Sequence, residues 1–234
     1  MYYFALEAYA PTASFRLPET HTFQQTLPLP PVTALMGLAG AALGLSFEQT
    51  MGLRESGFLC GVWGRHSGEA SDLWKFQKIK SGKVISAVLT REILCDLNLH
   101  IIYAHQEKEK AEDLRRAFLC PVYALSAGTS DDLLKLRRVG EVCEVGTELC
   151  RQYKCTVLPG DHSRNFESSI KLEDLPLGKT VRAPRVFLLP VSFTFNVEER
   201  RVKNRAHFTF IDTPVTLNKP VPAITSGGKV FPLL

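Results

Sequence analysis

The side chains in this sequence best suited to chemistry are cations set among aromatic rings. Between Gly64 and Arg91 stand Arg65, Lys75, Lys78, Lys80, Lys83 and Arg91 against only Glu69 and Asp72, a local charge of +4, with Trp74 and Phe76 among the lysines. Cations neutralise phosphates and rings stack on unpaired bases, so the pattern suits a hairpin that grips single-stranded nucleic acid. It equally suits a solvated hairpin whose rings turn inward. A second basic cluster is Lys135, Arg137 and Arg138, and a third spans Lys179 to Leu234, with nine basic residues against three acidic.

Acid–base and metal chemistry find less to work with. The six histidines, His21, His66, His100, His105, His162 and His207, are scattered. A metal-free ribonuclease needs a group that takes the 2′-hydroxyl proton and another that protonates the leaving oxygen. His207 and Tyr103 are available for this, but nothing in their spacing selects them. The six cysteines, Cys60, Cys95, Cys120, Cys143, Cys150 and Cys155, contain no CxxC pair. Zinc takes about four converging ligands, usually as two close pairs, so small apolar core residues are the expectation and no metal or cofactor is expected. Phosphate-binding P-loop, GxGxxG, GxSxG and HExxH patterns are absent.

The elements that must position these residues read as α+β. Tyr2 to Tyr9 has strand content, closed by Pro11. From Phe15 to Pro31 the four prolines at 18, 28, 30 and 31 force an extended, ordered loop. Thr33 then caps an expected helix over Ala34 to Leu45, carrying Gly37, Gly40 and Gly44. Each glycine costs a helix roughly 1 kcal/mol relative to alanine, so three imply that another backbone comes close, whether a sheet or an RNA strand. Strands are expected at Gly57 to Trp63, Leu97 to Tyr103 and Tyr123 to Leu125, with an amphipathic helix at Glu107 to Phe118. In the last third Val191, Phe193, Phe195 and Val197 alternate with polar residues and pair with Ala206 to Ile211 through the turn Glu198 to Arg205. The phenylalanines of this hairpin are expected in the core.

The 234 residues are 45% hydrophobic with a net charge of +4 and a mean hydropathy of −0.01, which is globular composition rather than disorder. The longest apolar stretch, Ala34 to Leu45, is short of the roughly 20 residues that cross a bilayer. The opening residues lack the basic region of a signal peptide, so a cytoplasmic protein without a membrane partner is the expectation.

Several local patterns converge on one family. Phe15-Arg16-Leu17-Pro18 followed by the run from Thr26 to Gly44, with Leu27-Pro28-Leu29-Pro30-Pro31 leading into the glycine helix, resembles the N-terminal signature of the CRISPR-associated Cas five family, within the RAMP group. Leu89-Thr90-Arg91-Glu92-Ile93-Leu94 and Leu125-Ser126-Ala127-Gly128-Thr129-Ser130-Asp131-Asp132 are similar to later family segments. The resemblance covers about residues 2–139. It implies a modified RRM or ferredoxin-like domain over 1–140, a β-hairpin thumb inserted at about 64–91, and a β-rich part over 141–234 packed on the first. It implies a non-catalytic subunit of a type I Cascade surveillance complex, one that binds the 5′ handle of the guide RNA (crRNA) and caps the row of backbone subunits. The large subunit is a further implied partner, and target DNA is met indirectly. The RNA contacts expected on this basis and on the charge map are Arg16, His21, Gln24, Thr33, Met36, Gly37, Lys75, Lys78, Lys80, Lys83, Arg137 and Arg138. One branch of the family cleaves precursor guide RNA with a Tyr and a Lys-His pair. Here the nearest analogue is Arg65-His66, and arginine, with a pKa above about 12, is a poor proton-transfer group. Endoribonuclease activity is therefore the alternative expectation.

Overall fold

The computed structural model describes residues 1–20, 23–80, 82–168, 182–195 and 200–234, with only the backbone of Lys78, Lys80 and Ser168. His21, Lys179, Val197, Glu198 and Glu199 lie outside the described residues.

The chain opens with β1 (Tyr2–Ala13), whose even positions Phe4, Leu6, Ala8 and Ala10 are buried. After the proline-bearing loop come β2 (Phe23–Gln24), α1 (Val32–Leu43) and α2 (Phe47–Glu55). Next are β3 (Leu59–Arg65), β4 (Gly68–Lys80), the 23-residue β5 (Lys83–His105) and α3 (Lys108–Leu119). The remainder is β: β6 (Lys135–Val139), β7 (Cys143–Glu144), β8 (Glu148–Tyr153), β9 (Thr156–Pro159) and β10 (Phe166–Ser168). The last strands are β11 (Arg185–Phe195), β12 (Arg200–Ile211), β13 (Val215–Ser226) and β14 (Lys229–Pro232). Three helices among the described residues and a predominance of sheet make the class α+β, as expected.

The large sheet runs β11-β12-β9-β3-β5-β1-β6, with β2, β4 and β7 paired at its margins, and the small sheet joins β8, β10, β13 and β14. Strands from both ends of the chain therefore share one sheet. One of its faces carries α1 and α3, burying Phe4, Leu6, Leu99, Ile101, Tyr103, Leu35, Ala39 and Phe118. Tyr103 and Phe118 stack at 5.2 Å, and the Tyr103 hydroxyl donates to the Leu35 carbonyl at 2.6 Å. The small sheet covers part of the opposite face, where Ile102 and Ala104 meet Ile224 and Phe231.

Three boundaries differ from expectation for local reasons. Pro11 lies inside β1, because β6 stops pairing at Tyr9 and leaves β5 as the only neighbour there; an edge position loses no ladder bond to proline. Helix α1 begins before Thr33, with Pro31 at its N-cap and the Ala34 and Leu35 amides bonded to the Pro31 carbonyl. It ends at Gly44, whose φ of 72° is the left-handed geometry that closes a helix. No strand forms at Tyr123 to Leu125, since the Val122 and Tyr123 amides serve the Ala42 and Ala41 carbonyls at the end of α1 instead.

The most conspicuous element is a ribbon. The second half of β5 pairs with β1 and β3 inside the sheet, while its first half pairs with β4, from Gly68↔Cys95 to Lys80↔Lys83, with β2 joining at Thr90 and Arg91 near the base. The β3 and β4 pairings keep the same register on β5, so the ribbon extends two core strands. At the rise of a strand it is about 40 Å long. Its base is fixed by Arg91, which pairs with Asp72 at 2.9 Å and is 7% exposed.

Candidate nucleic-acid interface

Helix α1 has one uncovered stripe. Val32, Leu35, Met36, Leu38, Ala39 and Ala42 are buried, whereas Thr33, Gly37 and Ala41, four residues apart, are only half-buried. The three glycines expected to mark a close approach separate cleanly. A Cβ on Gly40 would lie 2.0 Å from the Thr50 hydroxyl of α2, and Gly44 is required by its φ. At Gly37 a Cβ would meet no atom within 4 Å. Packing within the chain thus accounts for two of the glycines and leaves Gly37 without a structural reason. No side chain caps the amino end of the same helix.

The loop before α1 is ordered as the prolines require. The Phe15 amide donates to the Thr26 hydroxyl at 2.9 Å, the Leu27 amide to the Phe15 carbonyl at 2.8 Å, and the Thr26 amide to a Glu92 carboxylate oxygen at 3.1 Å. This holds Arg16 on the surface, where its only described hydrogen bond is a 3.3 Å donation to the Thr20 carbonyl. Glu19 of this loop accepts from Arg205 of β12 at 2.7 Å, tying the loop to the C-terminal hairpin.

The expected contact residues do not all reach the surface. Met36 is 2% exposed in the helix–sheet core, and Gln24 is 7% exposed beside Arg91. Neither is presented to a ligand, which corrects the expectation for both. Arg16 is exposed, and Thr33 and Gly37 remain partly accessible on α1. On the ribbon, Lys75 and Lys83 are exposed, and Lys75 is out of phase with positions 78 and 80. A strand alternates its faces, so position 75 does not share a row with positions 78 and 80. Arg137 and Arg138 lie elsewhere: Arg137 covers the Tyr9 ring at 4.5 Å and donates to Asn98 at 3.0 Å, and Arg138 is 3.6 Å from Glu7. Tyr9 and Glu7 alternate with buried Leu6, Ala8 and Ala10, so both arginines are on the sheet face away from α1.

The ribbon's rings resolve between the two readings. Trp74 and Phe76 stack on each other at 5.6 Å on one face, and Arg91 lies 6.0 Å from the Trp74 centroid at the base. The other face carries Leu73, Ile79, Val84 and Val88, each more than 60% exposed, with Lys75 opposite Val88 among them.

Several basic residues of the charge map are consumed internally. Arg182 makes two hydrogen bonds to Glu69, at 2.5 and 2.9 Å, and holds that carboxyl below the ordinary glutamate value. Arg185 is 3.7 Å from Asp212. Tyr103, one of the two side chains available for acid–base work, is fully buried, and burial raises its hydroxyl well above the ordinary value. Cys60 behaves as a core residue, its thiol pushed up to about 12 by burial. No group of three metal-ligating side chains occurs among the described residues.

Sequence reasoning missed one surface cluster. Phe193 and Phe195 do not enter the main core; they meet the 42% exposed Phe47 of α2 edge-on at 5.7 and 5.4 Å, and Arg200 covers Phe47 at 4.5 Å. The signal available was Phe47 itself, an aromatic directly after the Ser46 cap of a polar helix.

A family model described as CRISPR-associated protein (Cas_Cas5) matches residues 3–148. No curated protein matches the sequence closely enough to count as a relative. Among solved structures the fold is similar to a chain of a CRISPR RNA-guided surveillance complex, with a TM-score of 0.55 and 16% identity over 94% of this chain and 91% of the other. It is also similar to a CRISPR protein from Archaeoglobus fulgidus, with a TM-score of 0.55 and 13% identity over 99% and 98%. A chain of a type III-B Cmr-beta complex bound to cognate target RNA and AMPPnP gives 0.53 and 7% over 93% and 86%.

Proposed function

The chain belongs to the CRISPR-associated Cas five family, and on that premise we propose that it holds the 5′ handle of a guide RNA in a type I effector complex, binding without cleaving. The observation that carries this reading is Gly37. A glycine in mid-helix, costly in itself and free of any internal neighbour, leaves room for a nucleotide to come against the α1 backbone. Arg16 on the ordered loop that precedes α1 and the uncapped amino end of the helix add positive potential. Base pairing reads the target in RNA-guided complexes, so contacts of this backbone-directed kind are what the handle needs.

The ribbon serves as the thumb in this reading. Its apolar face of Leu73, Ile79, Val84 and Val88 fits a protein neighbour, for which the adjacent backbone subunit is the proposed partner, while Lys83, on the face of Trp74 and Phe76, steers the guide. Capping of the backbone row follows from one subunit presenting one such ribbon.

The test is a filter-binding titration with handle-containing RNA, comparing the wild type with Gly37→Leu. Leucine is a better helix former than glycine and has open space to enter, so the variant should fold at least as well while binding handle RNA at least tenfold more weakly. Equal affinity of the two proteins would remove α1 from the RNA site. Specific cleavage of a precursor repeat in EDTA, lost in His66→Ala, would replace the binding role by the nuclease one.

A further inference from the structure

The face of the large sheet away from α1 is only partly covered by the small sheet, and at the border lies a cavity of about 590 Å³. Trp63 of β3 forms part of its wall, with Arg65, Gln152, Lys154 and Lys229 around it, and no acidic residue lines it. The Arg65 guanidinium is 5.2 Å and the Lys229 ammonium 5.1 Å from the Trp63 ring centroid, so one ring carries two cations. Lys229 is fixed by the two-residue turn Gly227-Gly228, where both φ values are positive, 55° and 70°, and Ser226 pairs with Lys229. That is a type I′ hairpin, which needs glycine-like residues. Neither glycine has a neighbour within 4 Å of a would-be Cβ, so the rim is open.

Three cations converge on this cavity. Among the described residues Arg65, Lys154 and Lys229 meet no carboxylate; Arg65 uses only Nε, donating to Cys155 Sγ at 3.2 Å. The donors that remain point to an anion, and the adjacent ring and apolar wall point to a flat group beside it. A phosphate with a base has both parts.

We propose that this cavity is a second nucleic-acid site, seating one nucleotide of a single strand with its phosphate among Arg65, Lys154 and Lys229 and its base against Trp63. It goes beyond the handle site on α1 and does not rest on it. A strand is favoured over a free nucleotide because the platform continues. Trp63 pairs with His100, which pairs in turn with Glu7 of β1, and on the same face, two residues along, Arg137 covers Tyr9. The two ring-and-cation pairs are separated by the width of β5, about 10 Å between outer strands. The carboxylates on the way are occupied, Glu7 by Arg138 at 3.6 Å and Asp96 by the Tyr9 hydroxyl at 2.8 Å. His100 stands edge-on to Trp63 at 5.5 Å, and burial, followed by the nearby Lys229, lowers its pKa.

The chain has two tryptophans, so its indole N–H region in a proton–nitrogen NMR spectrum contains two signals, and Trp63→Phe identifies the one that belongs to this cavity. Titration with octauridylate should shift the Trp63 signal saturably, with affinity falling roughly 20-fold between about 50 and 200 mM salt, the response to three displaced counterions on a single strand. Lys229→Ala should lower that salt slope by about one unit, while Lys229→Arg keeps it. Adenosine 5′-monophosphate tells the sources apart: a shift with the mononucleotide assigns a self-sufficient nucleotide pocket, and a shift with the octamer alone assigns the extended platform. Either supports the site. It is overturned if the Trp63 signal does not move with either probe, if uncharged adenosine acts as well as the monophosphate, or if Lys229→Ala leaves the titration unchanged. Gly37→Leu should keep the Trp63 response, so failure of the α1 reading and failure of this one give different results.

Discussion

Gly37 and Gly40 are three residues apart on one helix and should respond in opposite directions to the same added methyl group. At Gly40 the new Cβ would collide with Thr50, a buried residue whose hydroxyl donates to the Ser46 carbonyl at 2.8 Å. Gly40→Ala is expected to destabilise by about 1–3 kcal/mol as α2 is pushed outward, seen as a lower midpoint in urea. At Gly37 the methyl enters open space, and the helix gains up to about 1 kcal/mol because alanine restricts the unfolded chain. A raised midpoint for Gly37→Ala with a lowered one for Gly40→Ala would separate a functional glycine from a packing glycine. Cysteine reactivity offers a second check at this scale. Cys60 is buried with its thiol pushed up to about 12, whereas Cys120 and Cys143 are exposed. The thiolate is the species that alkylates, so iodoacetamide at neutral pH should label Cys120 and Cys143 rapidly and Cys60 only on unfolding, as read by peptide mass spectrometry. Early labelling of Cys60 would contradict the burial of β3.

The ribbon of β4 and β5 can be altered without touching the core, because among the described side chains from Lys75↔Val88 to Ile79↔Val84 none is buried. Ile79→Asp with Val88→Asp should leave thermal stability within about 0.5 kcal/mol, the usual range for exposed sites, yet abolish co-purification with the backbone subunit. Survival of the complex would remove the apolar face from the interface. Lys83→Ala, on the opposite face, should instead reduce the salt slope of guide binding by about one unit and leave assembly intact. The ribbon was legible in the sequence because basic and polar residues appear abruptly around Ser81-Gly82, although the apolar residues between them, Leu73, Ile79, Val84 and Val88, gave no sign of being exposed. Its face assignment was not, since charge counting carries no phase, and only pairing with β5 shows that Lys75 is out of step with 78 and 80. Helix α1 was legible to within two residues, but burial of Met36 depends on which side the sheet takes. The cavity at Trp63 was invisible for a similar reason. Its cations come from positions 65, 154 and 229, and no local spacing joins them.

At the scale of the molecule, the net charge of +4 conceals a division that the structure partly cancels and partly sharpens. Segments 64–91 and 179–234 carry +4 and +6, so the rest sums to −6, and folding spends some of the excess on ion pairs between distant parts, Glu69 with Arg182 and Glu19 with Arg205. Glu69 titrates below its ordinary value, first through the Arg182 hydrogen bonds, so its contribution is complete above the unfolded glutamate pKa and is lost as pH falls through the folded one. Each such surface pair is worth at most about 1 kcal/mol, too little to hold two halves together. The apolar contacts do that. β9 and β12 extend the large sheet beyond β3, and Gly61 of β3 lies so near β14 that a Cβ would sit 2.8 Å from the Pro232 carbonyl. A chain ending at residue 140 would therefore bare the outer edge of β3 and the Ile102–Ala104 face that Ile224 and Phe231 cover. It should fail to give a cooperative unfolding transition, whereas the full chain should unfold in one transition that persists, slightly lowered, when acid removes the Glu69–Arg182 pair. Two separated transitions in the full chain, or a cooperative transition in the truncated one, would show that the C-terminal strands only decorate an independent N-terminal domain.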